Sequence, residues 1–470
     1  MPNEKPKVGL LLLSAEWFAR IGASQGSFRE LPKQLSDDAA AIEQALSLKL
    51  TVVNPGILAT RLQVTEATRR FEHEGVDLVI ACQITWGEDR LIIEAVQQLP
   101  LVPFLVWCYS PLRRLPNIMT MTDLFRTSGP VGALQASAPL KRLGKEFGVV
   151  FGSHQNPDVI RRIVSFAKAA RVARELRHAT IGVLPYRCDQ MTGTYVDEFR
   201  LKKEIGPELK YISTFDYRTL CEEVPTSQVA AFVQELRTGY SISPSVTEKG
   251  LAQGARVSLG LARLVEKYQL EAVAIEDVGE ELHRVVGLRP CLSVPALFDR
   301  AVVSMEAEVG GAVALLILRQ LTGKPPMYTE AFTYDEEANC LLLGHAGIHD
   351  VRLAPSAAEV LIEPDGEFVE SEPDSAWMRF RAKSGRVTLL SVFCDIGRFK
   401  LVITSGESLG SGPRLLGPPH AYVKMDMPLA DFFDKTIKTG MTQHWALVHD
   451  VVVDELVALA DILGLEKVII

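Results

Sequence analysis

No two cysteines in this chain have the Cys-x-x-Cys spacing of a zinc knuckle or a redox pair. The seven present (Cys82, Cys108, Cys188, Cys221, Cys291, Cys340 and Cys394) are odd in number and widely scattered. A disulfide framework and a sulfur-bound structural zinc are disfavoured, and reduced core thiols in a cytoplasmic protein are expected. Nor does any stretch approach the 18 consecutive apolar residues that mark a membrane-spanning helix. The first apolar run, Val8 to Leu13, is too short for a secretion-signal core and has no A-x-A cleavage site. A soluble protein is predicted. Lysine and arginine are spread along the chain and the net charge of −8 is modest for 470 residues, which argues against a nucleic-acid or anionic-membrane surface. Aromatic residues, at 7%, are ordinary for a globular enzyme, and no internal repeat is visible. What the chain has in quantity is apolar material, 47% of its residues. That is enough for several cores, and the length exceeds what one core usually supports.

The apolar residues come in a rhythm. Lys7–Ser14, Leu50–Asn54, Val76–Cys82 and Val102–Trp107 read as strands, with helices predicted over Leu31–Leu46, Glu66–Glu74 and Glu88–Gln98. Short apolar runs alternating with amphipathic helices specify a parallel sheet covered on both faces. After the long helix Pro157–Leu176 the rhythm restarts with strands at Thr180–Leu184, Leu209–Ser213 and Ala272–Ile275, between helices at 195–204, 226–237 and 250–268. It closes with the apolar helix Gly311–Leu321, stopped by Thr322-Gly-Lys-Pro-Pro326. Beyond it lie short β-like pieces: Cys340–Leu343, Ala358–Ile362, Trp377–Ala382, Arg386–Cys394 and Phe399–Thr404. A Gly/Pro-rich loop follows over Ser405–Pro419, and a helix over Val453–Leu463. The predicted architecture is α/β, with doubly wound domains at 1–176 and 177–326 and a mainly antiparallel β-barrel domain at 327–470.

Several polar residues stand where strands end, the places that face a ligand crevice in such sheets. Glu16, Gln83, Thr85 and Trp86 do so in the first domain. Glu306 and Glu308 precede a helix so apolar that it must be buried, so they need partners or a metal to offset desolvation; read alone, they are ordinary charges at a helix start. Glu330 sits in an aromatic-rich stretch, His345 among small residues after an apolar strand, and His444 just before another. Together the two carboxylates Glu306 and Glu330 and the two imidazoles form a mixed oxygen and nitrogen donor set suited to Mn²⁺ or another divalent ion.

These residues resemble the L-fucose isomerase and L-arabinose isomerase superfamily across most of the chain. The likeness is carried by Ser128-Gly-Pro-Val-Gly132, Gly148-Val-Val-Phe-Gly-Ser153, Asp197-Glu-Phe-Arg200, Gly287-Leu-Arg-Pro-Cys291, Met305-Glu-Ala-Glu308 and Tyr328-Thr-Glu-Ala-Phe-Thr-Tyr334, in this order. The resemblance implies that Glu306 and Glu330 are metal-binding and catalytic acids and that His444 is a ligand. His345 matches a ligand of the arabinose branch. Where the family often has His-His, this chain has Gln443-His444, and Gln443 falls at a substrate-contacting position. The resemblance further implies a homohexamer whose pocket draws on a neighbouring subunit's first domain, with Glu16, Trp17, Gln83 and Trp86 against the sugar.

The activity so implied is aldose–ketose isomerisation through an enediolate, on a neutral or an anionic sugar such as a sulfonated one. A divalent ion would stabilise the enediolate, and two carboxylates would move the protons. Arg20, Arg113, Arg114 and Arg187 follow predicted strands and are candidates for gripping an anionic group. Two alternatives stand beside this reading: epimerisation or carbon–carbon cleavage at the same metal site, and a non-catalytic sugar-binding relative.

Overall fold

Leu78-Val-Ile-Ala-Cys-Gln83 is buried at every position, as a strand covered on both faces must be. In the computed structural model, which describes residues 5–23, 28–368, 370 and 372–470, it is the central strand of a parallel sheet. That sheet contains Lys7–Leu13 (β1), Thr51–Val53 (β2), Ile57–Leu58 (β3), Leu78–Gln83 (β4), Phe104–Cys108 (β5) and Phe147–Phe151 (β6). The order is β2-β1-β4-β5-β6, with β3 also paired to β1. Among the helices of this unit, Arg61–Glu74 has clear start and stop signals in the sequence. Thr60 caps it in a reciprocal exchange with Gln63, and Gly75 ends it at φ 64°.

The chain folds as two compact units. The first takes the described residues up to Arg174 together with Asp454–Gly464, and the second takes Glu175–Val453 with Leu465–Ile470. Within the first unit the late helix meets the helix Pro157–His178 through Ser165 Oγ, which donates to Glu455 Oε1 at 3.0 Å.

The second unit opens with Thr180–Leu184 (β7), Glu208–Tyr211 (β8), Ser241–Ile242 (β9), Ala272–Ile275 (β10) and Val302–Ser304 (β11). Four of them make a second parallel sheet in the order β11-β10-β7-β8. Then come Met327–Asp335 (β12), Cys340–Gly344 (β13), Leu361–Glu363 (β14), Trp377–Arg379 (β15), Gly385–Cys394 (β16), Phe399–Ser408 (β17), His420–Met425 (β18), His444–Val448 (β19) and Glu466–Ile469 (β20). Seven of these form a mixed, mainly antiparallel sheet in the order β16-β19-β12-β13-β18-β17-β20, and β16 also pairs with β17. The strands β15, β14 and β9 make a small sheet of their own.

The helix Val309–Thr322 is buried along nearly all of its length and ends on Gly323 at φ 67°, where the sequence stop signal stands. Truncating a buried leucine in such a helix costs about 2–5 kcal/mol. Its start packs unusually close to the rest of the unit. A Cβ on Gly310 would lie 2.1 Å from the Val392 carbonyl oxygen, and one on Gly311 would lie 2.4 Å from the Tyr328 ring and 2.5 Å from Glu308 Oε2. Only glycine allows this approach.

Three sequence expectations shift. The helix expected at 195–204 begins only at Glu198, after a short 3-10 turn at Thr192–Thr194. The strand expected at Ala358–Ile362 is a 3-10 turn over Ala357–Glu359 followed by β14. The loop expected from Ser405 starts after Ser408, because β17 runs on to pair with both β16 and β18.

Candidate metal centre and active site

Two parallel strands of the second unit deliver the acids. β10 ends at Ile275 and leads into Glu276 and Asp277, while β11 ends at Ser304 and leads into Met305-Glu-Ala-Glu308. This is the crevice position at the carboxyl ends of a parallel sheet. The turn carrying Glu306 is contorted: Glu306 and Ala307 have φ 60° and 49°, a left-handed pair that costs non-glycine residues about 1–2 kcal/mol each. Three hydrogen bonds hold it. Glu306 N donates to Asp277 Oδ1 at 3.0 Å, Ala307 N to the Ile275 carbonyl at 2.7 Å, and Ser304 Oγ to the Glu308 carbonyl at 2.8 Å. Backbone held this far from its relaxed state is a mark of functional sites.

The antiparallel sheet delivers the imidazoles. Glu330 on β12 lies directly opposite His444 on β19 and opposite Gly344 on β13, after which His345 leaves the sheet. Residues opposite one another on paired strands share a face, so Glu330 and His444 face the same way, with Tyr328 two residues before Glu330 on that face. A bulge between Ala331 and Thr333 follows at once, a feature that re-aims side chains near active sites.

Glu306, His345 and His444 converge until one ligand atom from each lies within 4.8 Å of the others. His444 Nε2 is 2.9 Å from Glu306 Oε2, and His345 Nε2 is 3.6 Å from Glu306 Oε1. Behind the ring, His444 Nδ1 is 3.1 Å from Glu308 Oε2, which also accepts the Tyr328 hydroxyl at 2.8 Å. His345 Nδ1 donates to the Ala346 carbonyl at 2.8 Å, leaving a lone pair on Nε2. The rings of Tyr328, His345 and His444 pack together with centroids 4.8–5.3 Å apart. Glu330 is half-buried and is not one of the three convergent donors.

The electrostatics ask for a cation. Burial alone would lower the basicity of His444, but the charge of Glu308 and the contact with Glu306 outweigh it and push the imidazole up to about 10. Burial likewise would raise Glu306, yet His345 and His444 bring it down to about 2. Burial, with Glu308 and Glu306 beside it, lifts the Tyr328 phenol well above its ordinary value, so it remains a donor. The short His444–Glu306 distance nevertheless lacks hydrogen-bond alignment. Glu306 Oε2, Glu308 Oε1, His345 Nε2 and both His444 nitrogens are buried without a hydrogen-bond partner. Buried polar atoms are rarely left so. Atoms that crowd together without pointing at one another could serve as donors to a common ion, with the Ala346 carbonyl behind His345 and Glu308 Oε2 3.1 Å behind His444. The residues fit a divalent metal.

The remaining predicted residues divide by unit. Gln443 is exposed beside His444, its amide 3.2 Å from the Met191 sulfur. Arg187, in the loop after β7, lays its guanidinium 4.2 Å from the Tyr195 ring centroid. Glu16, Trp17, Gln83 and Trp86 lie in the first unit, at or just after the carboxyl ends of β1 and β4. Glu16 is exposed. Trp17 packs with Phe18, Trp86 and Phe125 at centroid distances of 4.3, 6.2 and 5.6 Å. The Trp86 indole donates to Gln135 Oε1 at 2.8 Å. Gln83 is fully buried with neither carboxamide atom bonded. Arg20, Arg113 and Arg114 are exposed. Asp277 and Tyr328 were not singled out by sequence. Their signals were position after a buried strand for Asp277 and a shared strand face with Glu330 for Tyr328.

No protein-family profile matches the chain. Curated proteins do match it over most of its length. A sulfoquinovose isomerase of Priestia aryabhattai is 22% identical over 421 residues, covering 88% of this chain and 91% of its own. An L-arabinose isomerase of Aeromonas salmonicida is 24% identical over 485 residues, covering 97% and 93%. One of Aeromonas hydrophila is 25% identical over 355 residues, covering 70% and 69%. These homologues are sugar isomerases of one superfamily, intramolecular oxidoreductases by reaction class.

Proposed function

We propose that this protein is a divalent-metal-dependent isomerase that interconverts an aldose and a ketose. The single observation that carries the reading is the convergence of Glu306, His345 and His444, in a chain whose homologues isomerise sugars. Glu306, His345 and His444 would hold the ion, with Glu330 beside them as a fourth oxygen donor. Two imidazoles and one carboxylate also suit zinc; a fourth, hard oxygen ligand favours Mn²⁺. When bound, such an ion supplies positive charge to the substrate oxygens as an enediolate forms.

The rest of the chemistry belongs to the side chains. A hydrogen on carbon next to a carbonyl is too weakly acidic to leave unaided, so a positioned base must take it and an acid must return a proton to the neighbouring carbon. Glu306 and Glu330 are proposed as that pair. Glu308 lies 3.1 Å behind His444 and is itself fixed by the Tyr328 hydroxyl, so its charge is proposed to steady the ligand face during the transfer. Gln443, exposed beside His444, is proposed to meet the sugar's hydroxyls.

The names of the relatives divide the substrate question between a sulfonated sugar and a neutral one, and we favour the anionic sugar, with Arg187 on the loop after β7 as the group that meets it. The pairing of β16 with β17 supports reading residues 327–470 as a barrel domain that follows α/β domains at 1–176 and 177–326. The assembly is proposed as a homohexamer in which Glu16, Trp17, Gln83 and Trp86 of a neighbouring copy complete the pocket. Seven free cysteines and the lack of any membrane-crossing helix among the described residues support a cytoplasmic setting.

The test combines metal analysis of the purified protein with proton exchange. Incubation of candidate sugars in D₂O should place deuterium at C1 or C2 as the ketose forms. Exchange without ketose would favour epimerisation or cleavage instead. Absence of bound metal together with full activity in Glu306→Gln would overturn the proposal.

A further inference from the structure

The turn that aims Glu306 is held by a carboxylate that is itself held by a distant loop. Asp277 is buried. Its Oδ1 accepts the Glu306 amide at 3.0 Å, and its Oδ2 lies 3.3 Å from Arg289 Nη1. Arg289 is only 4% exposed and spends its remaining donors elsewhere. Nε and Nη2 fork onto Asp365 at 2.8 and 3.0 Å, Nη2 also reaches Glu367 at 2.7 Å, and the guanidinium plane lies 4.6 Å from the Phe368 ring centroid. The same stretch grips Asp277 a second time. His283 packs at a tilt against Phe368 with centroids 4.2 Å apart, pairs with Glu372 through Nδ1, and places Nε2 3.2 Å from the Asp277 carbonyl oxygen.

The other ligand segment meets the same carboxylate. Gly347, at φ 95° just after His345, is so close that a Cβ there would lie 2.7 Å from Met305 and 3.5 Å from Asp277 Oδ2. The segments carrying Glu306 and His345 therefore meet over Asp277.

We propose that Asp277 is a positioning residue for the metal centre, and that Arg289 with Asp365 and Glu367 fixes its aim. The inference rests on the metal-dependent reading above. A left-handed Glu306–Ala307 pair relaxes unless its amides are held. If the Asp277 acceptor is lost, the Glu306 carboxylate swings out of the donor cluster, although no ligand has been removed. Groups that orient metal ligands from behind are typically worth 10–100-fold in metal affinity.

The experiment is a Mn²⁺ titration of the full-length, metal-stripped protein, with free ion followed by its EPR signal and the thermal midpoint of the ion-free protein recorded alongside. Asp277→Ala should weaken Mn²⁺ binding about 10–100-fold. Glu367→Gln, at a half-exposed position where folding is not at stake, should weaken it about 3-fold, and should add nothing in the Asp277→Ala background because both act through one path. Unchanged Mn²⁺ affinity in Asp277→Ala, or a Glu367→Gln effect that persists in full in the double variant, would overturn the proposal. Should Asp277→Ala fail to fold, Glu367→Gln alone decides: weaker Mn²⁺ binding at an unchanged midpoint supports the relay, and unchanged binding sinks it. A wild-type protein that takes up no divalent ion would instead bring down the metal-dependent reading, and this inference with it.

Discussion

In the second unit, three side chains far apart in sequence crowd their donor atoms within 4.8 Å of one another and leave them without hydrogen bonds. In the first unit, Trp17 and Trp86, expected to meet a sugar, pack with Phe18 and Phe125, and Trp86 gives its indole proton to Gln135. One cluster is strained and unsatisfied; the other is at rest. The contrast separates buried polar atoms without hydrogen-bond partners from aromatic rings that pack within their own unit, since burial without a partner persists only where something else offsets it. By that standard Gln83 is like the Glu306, His345 and His444 donors and unlike its tryptophan neighbours. It is fully buried and unbonded, and a Cβ on Gly132 or Gly87 would lie 2.8 or 3.2 Å from its oxygen.

The largest effect that could break this comparison is at Glu306. Glu306→Gln should lower kcat by about 10³-fold or more and abolish Mn²⁺ uptake, measured by steady-state rates and titration calorimetry; near-normal rates would erase the distinction between the units. Next comes the ion itself. Mn²⁺ at a hundred times its dissociation constant should stabilise the stripped protein by about 2.7 kcal/mol, seen as a raised thermal midpoint that His444→Ala removes.

Without the ion, pH should act through the same pair. His444 is raised from 6.5 to about 10, so its contribution is complete below 6.5 and is lost as pH climbs through 10. Glu306 is lowered from 4.5 to about 2, so its contribution is present above 4.5 and is lost as pH falls through 2. The midpoint of the stripped protein should therefore decline above 6.5, and Glu306→Gln should weaken that decline. A decline of the same size in the variant would mean that the pair is not its source.

Smaller effects sharpen the contrast within the first unit. Gln83→Leu removes an unsatisfied buried amide and should leave stability within about 1 kcal/mol of wild type or raise it, while KM rises and Mn²⁺ uptake stays unchanged. An unaltered KM would return Gln83 to the packing. The smallest is Arg187→Met, expected to raise KM for a sulfonated sugar about 5-fold with a neutral sugar unaffected; equal effects on both sugars would deny Arg187 a role in charge recognition.

Much of this was readable in the sequence, for identifiable reasons. Buried parallel strands such as Leu78–Gln83 announce themselves because both faces are covered. Two-residue strands such as Ile57–Leu58 and Ser241–Ile242 are too short to show any period. The helix Gly129–Arg142 carries Pro139 inside it and two glycines near its start, which hid its pattern. Gly406 made a strand look like a loop. It is there because a Cβ would sit 2.5 Å from the Lys424 carbonyl oxygen on the neighbouring strand. At the site, Glu306, His345 and His444 were visible as chemistry at element ends, and Glu308 as a neighbour. The hold of Arg289 on Asp277 was not, because its partner Asp365 lies 76 residues away and nothing local marks the pairing.

The order of the chain through its two units bears on how the protein is made. The first unit takes the helix within Asp454–Gly464 from beyond most of the second unit's sequence, and β20 then returns to pair with β17 in the second. During synthesis, the first sheet emerges long before the helix that completes its unit. Until residues 454–470 leave the ribosome, Ser165 lacks Glu455 and Phe399–Ser408 lacks a flanking strand. Domains generally fold from the N-terminal end as they appear. Here neither unit is whole until residues 454–470 arrive, so the two are committed to finishing together.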